Sequence, residues 1–429
     1  MADARELGAA IGELFLVEGV ERRWLPVGAS LENARVFSVL GGPEHGVALA
    51  ELNFAQGCFR AAFSFDLAGG ESLSVREVFE PGFQQGLIDL LRSLSFSGPR
   101  SDEVSAALGQ GRAEPVLLDQ SNSAFLIGEG GFGKFYRRCG DISREAEFYR
   151  HLAGSGVAAA FWGAFSYPDG SVAALVTELL ENPRSAWDLA GLMLDGGDLQ
   201  GAAKLAQKCG EALGQLHDGL EQSWPDSASI EPADLVAWLN ARLAGYAAVL
   251  GGDDLSTSAG RALRDLAAEL EGPFRCQHIH GDFHLGQLVR SGETLLVIDF
   301  EGEPEAAAGP MELPERDLAG LLRSIGYLAP ADEDEGLRQL LRSSALEGYV
   351  SSRTGSRTFE VPERLALLAF FEAEKALYEL AYETRYRPAM TEGPSAALKR
   401  LAWRLDGLAR GASLAPGSLT ALAQREYAR

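Results

Sequence analysis

His278-Ile279-His280-Gly281-Asp282-Phe283-His284-Leu285-Gly286-Gln287, followed by Leu295-Leu296-Val297-Ile298-Asp299-Phe300-Glu301-Gly302-Glu303-Pro304, carries the densest set of chemically informative residues in the chain. Asp282 stands in a His-Gly-Asp turn, Asp299 directly follows an apolar run, and the polar Gln287 lies between them. Two carboxylates placed this way can divide a task. One meets a substrate hydroxyl, and the other meets a metal-bound phosphate. Phosphoryl transfer asks for that division, because its catalysis is mostly positioning and charge neutralisation.

Three of the six histidines (His278, His280, His284) fall in the same stretch, and close spacing also suits zinc. Against zinc, no cysteine or further histidine fills four positions convincingly, and an aspartate occupies the centre of the motif. Alternatively His280 orients the turn through backbone hydrogen bonds and leaves Asp282 as a base. A third reading is structural, an aspartate bonding to its own turn. His-Gly-Asp, then glutamine five positions on, then an apolar strand ending in aspartate is far more specific than any one of these residues.

At 429 residues the chain predicts two or three domains, and 46% hydrophobic with 23% charged residues gives ample core. A formal charge of −23 argues against a nucleic-acid partner and for weak attraction to anionic membranes. It leaves room for an anionic nucleotide held by amides, a lysine and magnesium. The four cysteines (Cys58, Cys139, Cys209, Cys276) show no Cys-x-x-Cys spacing, which predicts no disulfide framework and a cytoplasmic location. The N-terminus lacks a basic n-region, and no apolar run approaches the roughly 20 residues that span a bilayer. A monomer is compatible with the sequence.

Residues 1–98 read as a small α+β unit. A short amphipathic helix over 4–17 is followed by strand-like segments at 35–40, 47–54 and 58–65, bounded by glycine-rich punctuation, and by a helix over 83–96. The unit is either a cap or interaction module, or a stabilising extension. Ser97-Gly98-Pro99 marks a boundary. Beyond it, two strand-like segments enclose the polar turn Ser121-Asn122-Ser123, and a third carries Lys134 ahead of a helix bearing Glu145 and Glu147. A strand lysine paired with a helix glutamate is the arrangement that steers nucleotide phosphates in kinase-like folds. Gly128 to Gly133 matches neither glycine-rich nucleotide fingerprint and reads as a hairpin turn, so phosphate contact is expected from Ser121, Asn122 and Ser123. Val172 to Leu180 reads as a strand leading into a linker, where the backbone of Glu178 and Leu179 is placed for an adenine edge. Helical spacing follows over 198–220, 232–250 and 257–270. His217, near the end of the first, reads as a capping or core residue.

His280-Gly281-Asp282-Phe283-His284 with Ile298-Asp299-Phe300-Glu301 resembles the aminoglycoside phosphotransferase and eukaryotic-kinase-like superfamily. With Arg316 to Ser324, Glu374 to Glu379 and Arg387-Pro388 added, the set is similar to actinobacterial maltokinases and the related glucosamine kinases, in family order over most of 115–390. The resemblance implies an α+β, bilobal protein-kinase-like fold with an N-terminal cap subdomain (1–98), a β-rich nucleotide-binding lobe (99–182) and a helical lobe (183–429). It implies an ATP-dependent, Mg2+-requiring sugar kinase. Asp282 would be the base, Gln287 and Asp299 the metal ligands, and Lys134 the phosphate contact paired with Glu145 and covered by Ser121 to Ser123. Glu301, Arg323, Glu374, Tyr378 and Arg387 would surround the sugar.

Maltokinases of this family follow the Arg-Pro pair with a tryptophan and a proline-rich loop, whereas here Ala389-Met390-Thr391-Glu392 follows. Loss of an aromatic platform removes apolar contact with a second sugar ring. Carboxylates at Glu301, Glu303, Glu374 and Glu379 would suit a 2-ammonium group. The expected reaction is therefore glucosamine to glucosamine 6-phosphate, with maltose to maltose 1-phosphate as the alternative and an inactive kinase-like scaffold as a third reading.

Overall fold

The computed structural model describes residues 4–16, 31–41, 45–54, 57–68, 72–80, 82–116, 122–137, 143–225, 228–251, 254–270, 272–303, 313–329, 335–353 and 362–399. Two compact units emerge, one from residues 1–153 and 159–181 and the other from 154–158 and 182–429.

The first unit begins with helix α1 (Ala4–Leu16) and an antiparallel meander of β1 (Leu31–Gly41), β2 (His45–Phe54), β3 (Gly57–Ala68) and β4 (Ser72–Glu77). Successive strand side chains point to opposite faces, and β2 shows it. Ala48, Ala50 and Leu52 pack with Leu7 and Ile11 of α1, while Val47 and Leu49 enter a second core. The second core also takes Leu87, Leu90 and Leu91 of α2 (Gln84–Ser93) and Phe125, Phe135 and Phe165 of another sheet. That sheet combines β5 (Ser95–Ser97), β6 (Ala113–Val116), β7 (Ser123–Ile127), β8 (Gly131–Phe135), β9 (Phe161–Ser166) and β10 (Val172–Glu178) in the order β5-β9-β10-β8-β7-β6. Residues on either side of the boundary expected at Ser97-Gly98-Pro99 thus share one apolar interior.

Helix α3 (Ser101–Gly109) precedes β6, and α4 (Ser143–His151) follows β8. The helix expected over 83–96 stops at Ser93, because Leu94 turns extended and Phe96 pairs with Phe165 of β9, ring centroids 4.7 Å apart. β4 escaped the sequence reading; it is a short edge strand paired only with β3 among the described residues. Gly128-Glu129-Gly130 forms the turn of the β7–β8 hairpin, as expected. Gly133 is required there by packing, since a Cβ would lie 2.1 Å from the Phe125 ring. The cysteine expectation needs correction: Cys58 on β3 is disulfide-bonded, while Cys209 and Cys276 are free and buried.

The second unit is mainly helical. It contains β11 (Arg184–Ser185), α5 (Ala186–Asp195), α6 (Leu199–Ser223), β12 (Ser229–Ile230), α7 (Pro232–Leu250), α8 (Asp254–Glu269), β13 (Phe274–Arg275), β14 (Leu288–Ser291), β15 (Thr294–Val297), α9 (Pro314–Gly326), α10 (Glu335–Ser352) and α11 (Pro362–Tyr386). α7 starts where its sequence says it should, with Pro232 at the first helical position and a Glu231–Asp234 capping box. α9 is its most enclosed element, with Leu318, Leu321, Leu322 and Ile325 fully buried. The β14–β15 hairpin holds the segment from Gln287 to Asp299 in register, Leu288 opposite Val297. No helix among the described residues is long and apolar enough to cross a membrane.

Candidate active site

In the second unit, the loop around Asp282 is built from below by one buried carboxylate. Asp317, on the first turn of α9, accepts the backbone N–H of His280 (2.7 Å) and of Gly281 (2.8 Å) and contacts His217 Nε2 (3.0 Å). His217 Nδ1 reaches the Tyr349 hydroxyl at 2.9 Å. Burial would raise the Asp317 carboxyl pKa, but the His217 and backbone hydrogen bonds outweigh it and hold the group below the usual carboxylate range. Burial also pushes the His217 pKa down, so the ring is neutral and donates from Nε2. His217 is a core residue, as expected.

α9 reaches the loop because residue 320 is glycine. A Cβ there would lie 2.4 Å from the Phe283 carbonyl oxygen. Gly281 turns through φ +88°, which brings Asp282 out of the buried anchor. His280 Nδ1 accepts the Asp282 N–H at 3.3 Å, so its Nε2 carries the proton and donates to Ile298 O at 2.9 Å. His284 Nδ1 accepts the Gly286 N–H at 3.0 Å, and His278 stacks on Trp224 with centroids 3.7 Å apart. Two of the three rings thus serve the backbone and the third is stacked, which favours the orienting role of His280 over a zinc cluster.

Asp299 follows β15 with φ +67°, a left-handed backbone that asparagine and aspartate tolerate better than most residues. Its Oδ2 accepts from Gln287 Nε2 at 3.1 Å. Rotating the Gln287 carboxamide by half a turn would set its oxygen beside the carboxylate. Two hard oxygens at that separation fit a magnesium ion.

Asp282 meets a cation that sequence reading missed. Lys375 Nζ on α11 donates to Asp282 Oδ1 at 3.0 Å and to Glu303 Oε1 at 3.1 Å. Glu303 also accepts from Arg242 Nη2 of α7 and Arg316 Nη2, both at 2.9 Å. Burial raises the Glu303 pKa, and Lys375, Arg316 and Arg242 bring it down to about 2. Glu374 is buried and accepts from Arg242 Nε and from the Tyr246 hydroxyl. The expectation that Glu303 and Glu374 offer unspent charge to an amine is therefore corrected, since guanidinium groups already neutralise both.

One turn beyond Lys375, Glu379 accepts from Arg323 Nη2 and the Tyr327 hydroxyl, each at 2.6 Å. Tyr378 lies 4.5 Å under the Lys375 ammonium, so it belongs to the same cluster. Glu301 is exposed, and Arg387 is exposed and paired with Glu383 at 2.6 Å. Glu383 lies about 12 Å along the helix axis from Lys375, at 1.5 Å per residue. The structure gathers Asp282, Lys375, Tyr378 and Glu374 around Glu303 and leaves Arg387 at the far end of α11.

The first unit holds its own polar centre. Lys134 Nζ on β8 donates to Glu145 Oε2 of α4 at 3.1 Å, and the Tyr136 hydroxyl donates to the same oxygen at 2.6 Å. Asn122 and Ser123 turn inward instead of toward a ligand. Asn122 Oδ1 accepts the Arg137 N–H at 3.1 Å, and Ser123 Oγ accepts from Arg137 Nε at 2.8 Å. The cause is Arg137, a fully buried guanidinium that needs acceptors and also takes Glu77 at 2.6 Å. Ser121 lies outside the described residues. The Glu178 N–H donates to Ala160 O and the Leu179 N–H to Gly130 O, so neither amide is open to an adenine edge.

The Lys134–Glu145 ion pair in one unit, and the anchored Asp282 loop with the Gln287–Asp299 pair in the other, are the chain's polar centres. The family model described as "Phosphotransferase enzyme family" matches residues 112–349, more than half of the chain, and the chain belongs to that family. Among individual proteins, it is 25% identical over 329 residues to a glucosamine kinase of Mycolicibacterium smegmatis, spanning 67% of this chain and 79% of that protein. Its fold is similar to a solved glucosamine kinase (crystal form B), with TM-score 0.64 and 19% identity over 90% of this chain and 99% of the other. It is also similar to a structure titled glucosamine kinase in complex with glucosamine, ADP and inorganic phosphate. That match has TM-score 0.60 and 20% identity, covering 90% of this chain and 98% of that one.

Proposed function

We propose that the chain transfers the γ-phosphoryl group of ATP to a hydroxyl of glucosamine, giving glucosamine 6-phosphate. The observation that carries this is the anchoring of Asp282. Its loop is pinned through Asp317 and its carboxylate is held by Lys375, so an acceptor hydroxyl meets an oriented base rather than a mobile one. Asp282 takes the hydroxyl proton as the acceptor oxygen bonds to phosphorus and the bond to the leaving ADP oxygen breaks. Such a base needs little basicity, because in a loose transition state the proton leaves late.

Asp299 and Gln287 would hold magnesium, which when bound neutralises charge on the phosphates. Lys134, restrained by Glu145 and Tyr136, contacts the nucleotide phosphates. Glucosamine is favoured over maltose by the missing aromatic platform after Arg387-Pro388 and by the Mycolicibacterium relative.

The test is ADP release, by coupled assay, with glucosamine, maltose, glucose and N-acetylglucosamine in parallel, and phosphorus NMR of the product. We expect sugar-dependent turnover with glucosamine and a 6-phosphate ester. Absence of sugar-dependent ADP release across the panel would sink the kinase reading. Preference for maltose would sink the substrate.

A further inference from the structure

α11 is apolar and buried on most of its inner face, with Leu367, Leu368, Phe370, Phe371, Ala373, Ala376 and Leu377 packed inside. Lys375 interrupts that face. Its side chain is 16% exposed, and its ammonium sits between Asp282 and Glu303. Burial would push its pKa down, but Asp282 and Glu303 outweigh it and hold the group well above the ordinary lysine value, so the nitrogen stays charged. We propose that Lys375 is a catalytic residue of the transfer: its ammonium touches the acceptor oxygen and the phosphoryl group as it moves between nucleotide and sugar. This rests on the kinase reading above and goes further by adding a cation at the reacting atoms.

A merely structural lysine would be there to neutralise Glu303. That carboxylate already faces Arg242 and Arg316, each at 2.9 Å, and does not need a third cation. Three carboxylates (Asp282, Glu303, Glu374) face three cations (Lys375, Arg242, Arg316), and the ion pair that depends on Lys375 is that of Asp282. Glu303 acts as the fixed anchor, and Lys375 is held by it at the base.

A lysine ammonium has three N–H donors, and two go to Asp282 and Glu303. The third has no oxygen or nitrogen acceptor among the described residues; the Tyr378 ring lies 4.5 Å from the ammonium, and an acceptor oxygen would offer a stronger partner. A hydroxyl donating to the Asp282 oxygen that Lys375 contacts sits about 2.7 Å from it, which puts the acceptor oxygen within reach of the same ammonium. During transfer the acceptor oxygen bonds to the γ-phosphorus and the bond from phosphorus to the ADP oxygen breaks. The hydroxyl proton passes to Asp282 and on to solvent. Negative charge then leaves Asp282 while phosphoryl oxygens arrive beside Lys375. One cation is thereby paired before and after the step, and it needs no rearrangement at the moment of reaction.

The experiment compares wild type, Lys375→Met and Lys375→Arg for melting temperature, Mg-ADP affinity by calorimetry, and kcat and KM with glucosamine. Losing a cation that acts in the transition state should lower kcat of Lys375→Met by about 100-fold or more. The ADP Kd and sugar KM should stay within about threefold, and Lys375→Arg should recover about a tenth of wild-type kcat or better. A Lys375→Met enzyme keeping more than about a fifth of kcat, or an arginine variant no better than methionine, overturns the proposal. If Lys375→Met does not fold, Lys375→Gln keeps an amide donor for Asp282 and Glu303 while removing the charge. It should fold and remain slow, and near-wild-type kcat in it overturns the assignment. A wild type that uses no sugar refutes the kinase reading on its own. Lys375 is then read on sugar-independent ATP hydrolysis, where an undiminished rate in Lys375→Met refutes it and a drop supports it.

Discussion

Asp317 is the place to test whether the Asp282 loop is built as described. It is fully buried and receives three donors: the His280 and Gly281 N–H groups and His217 Nε2. Asp317→Ala leaves three buried donors without their acceptor, at about 1–3 kcal/mol each before relaxation. Asp317→Asn keeps one acceptor oxygen for the His280 and His217 side and turns an NH2 toward the Gly281 N–H, so it loses about one such increment. The alanine variant should therefore lose about three times the stability of the asparagine variant. For a unit of this size about 1 kcal/mol corresponds to about 2–4 °C. Both should lower kcat by about 100-fold, the usual consequence of a base misplaced by about 1 Å.

The pH dependence carries a sign as well. Asp317 has a folded pKa below its unfolded value, so its contribution is present above the unfolded carboxylate value near 3.9 and lost as pH falls through the folded one. His217 is also depressed, so it costs stability as pH drops below its unfolded value near 6.5. Melting curves between pH 7 and pH 3 should show both losses in wild type, and only the histidine loss in Asp317→Asn. Equal melting temperatures for the two variants, or an alanine variant within about 2 °C of wild type, would refute the anchoring argument.

Asp282→Asn should abolish turnover while leaving Mg-ADP affinity largely intact by calorimetry; more than a few per cent residual activity, about the level a lost base allows, removes it from the role of base. Asp299→Ala should weaken nucleotide binding in magnesium far more than in its absence, which the same calorimetry reads. Gly320→Ala forces a Cβ to within 2.4 Å of the Phe283 carbonyl, and about 1–3 kcal/mol of overpacking should appear as a lower melting temperature with a lower kcat. Glu379→Gln leaves the Arg323 guanidinium without its carboxylate and should raise the KM for glucosamine more than that for glucose; equal effects on both sugars would exclude a role of this pair in recognising the amine.

What was legible in the sequence was local. The β1–β3 meander, the β7–β8 hairpin and α7 follow from alternation, turn glycines and a capping box within a few residues of chain. Asp282 and Asp299 stood out because loop, strand and carboxylates lie within one short stretch. The anchor and the cation did not. Asp317 meets Gly281 across 36 positions, Lys375 meets Asp282 across 93 and Arg242 meets Glu374 across 132. No periodicity encodes such meetings. A faint signal existed in Lys375, a lysine set in the apolar pattern of a helix with glutamates at 374 and 379. Asn122 and Ser123 were misread for a related reason. Their polarity was visible, but the buried Arg137 that claims it is identifiable only after β8 and β4 come together.

The same network recasts the question of the sugar. Carboxylates at Glu301, Glu303, Glu374 and Glu379 were expected to pair with a 2-ammonium group, but the structure spends Glu303 and Glu374 on Arg242, Arg316 and Lys375 and Glu379 on Arg323. Lys375 lies beside Asp282, and Glu379, 18% exposed and paired with Arg323 and Tyr327, lies one helical turn away, about 6 Å along the axis. Two like charges 4 Å apart repel by about 4 kcal/mol near a protein surface, so an acceptor's ammonium is disfavoured next to Lys375. The 6-hydroxyl and the 2-ammonium of glucosamine stand on opposite sides of its ring. Presenting the hydroxyl to Asp282 would move the ammonium away from Lys375, whereas phosphorylation next to the amine would bring two cations together. Selectivity on this reading comes from orientation rather than from an excess of negative charge.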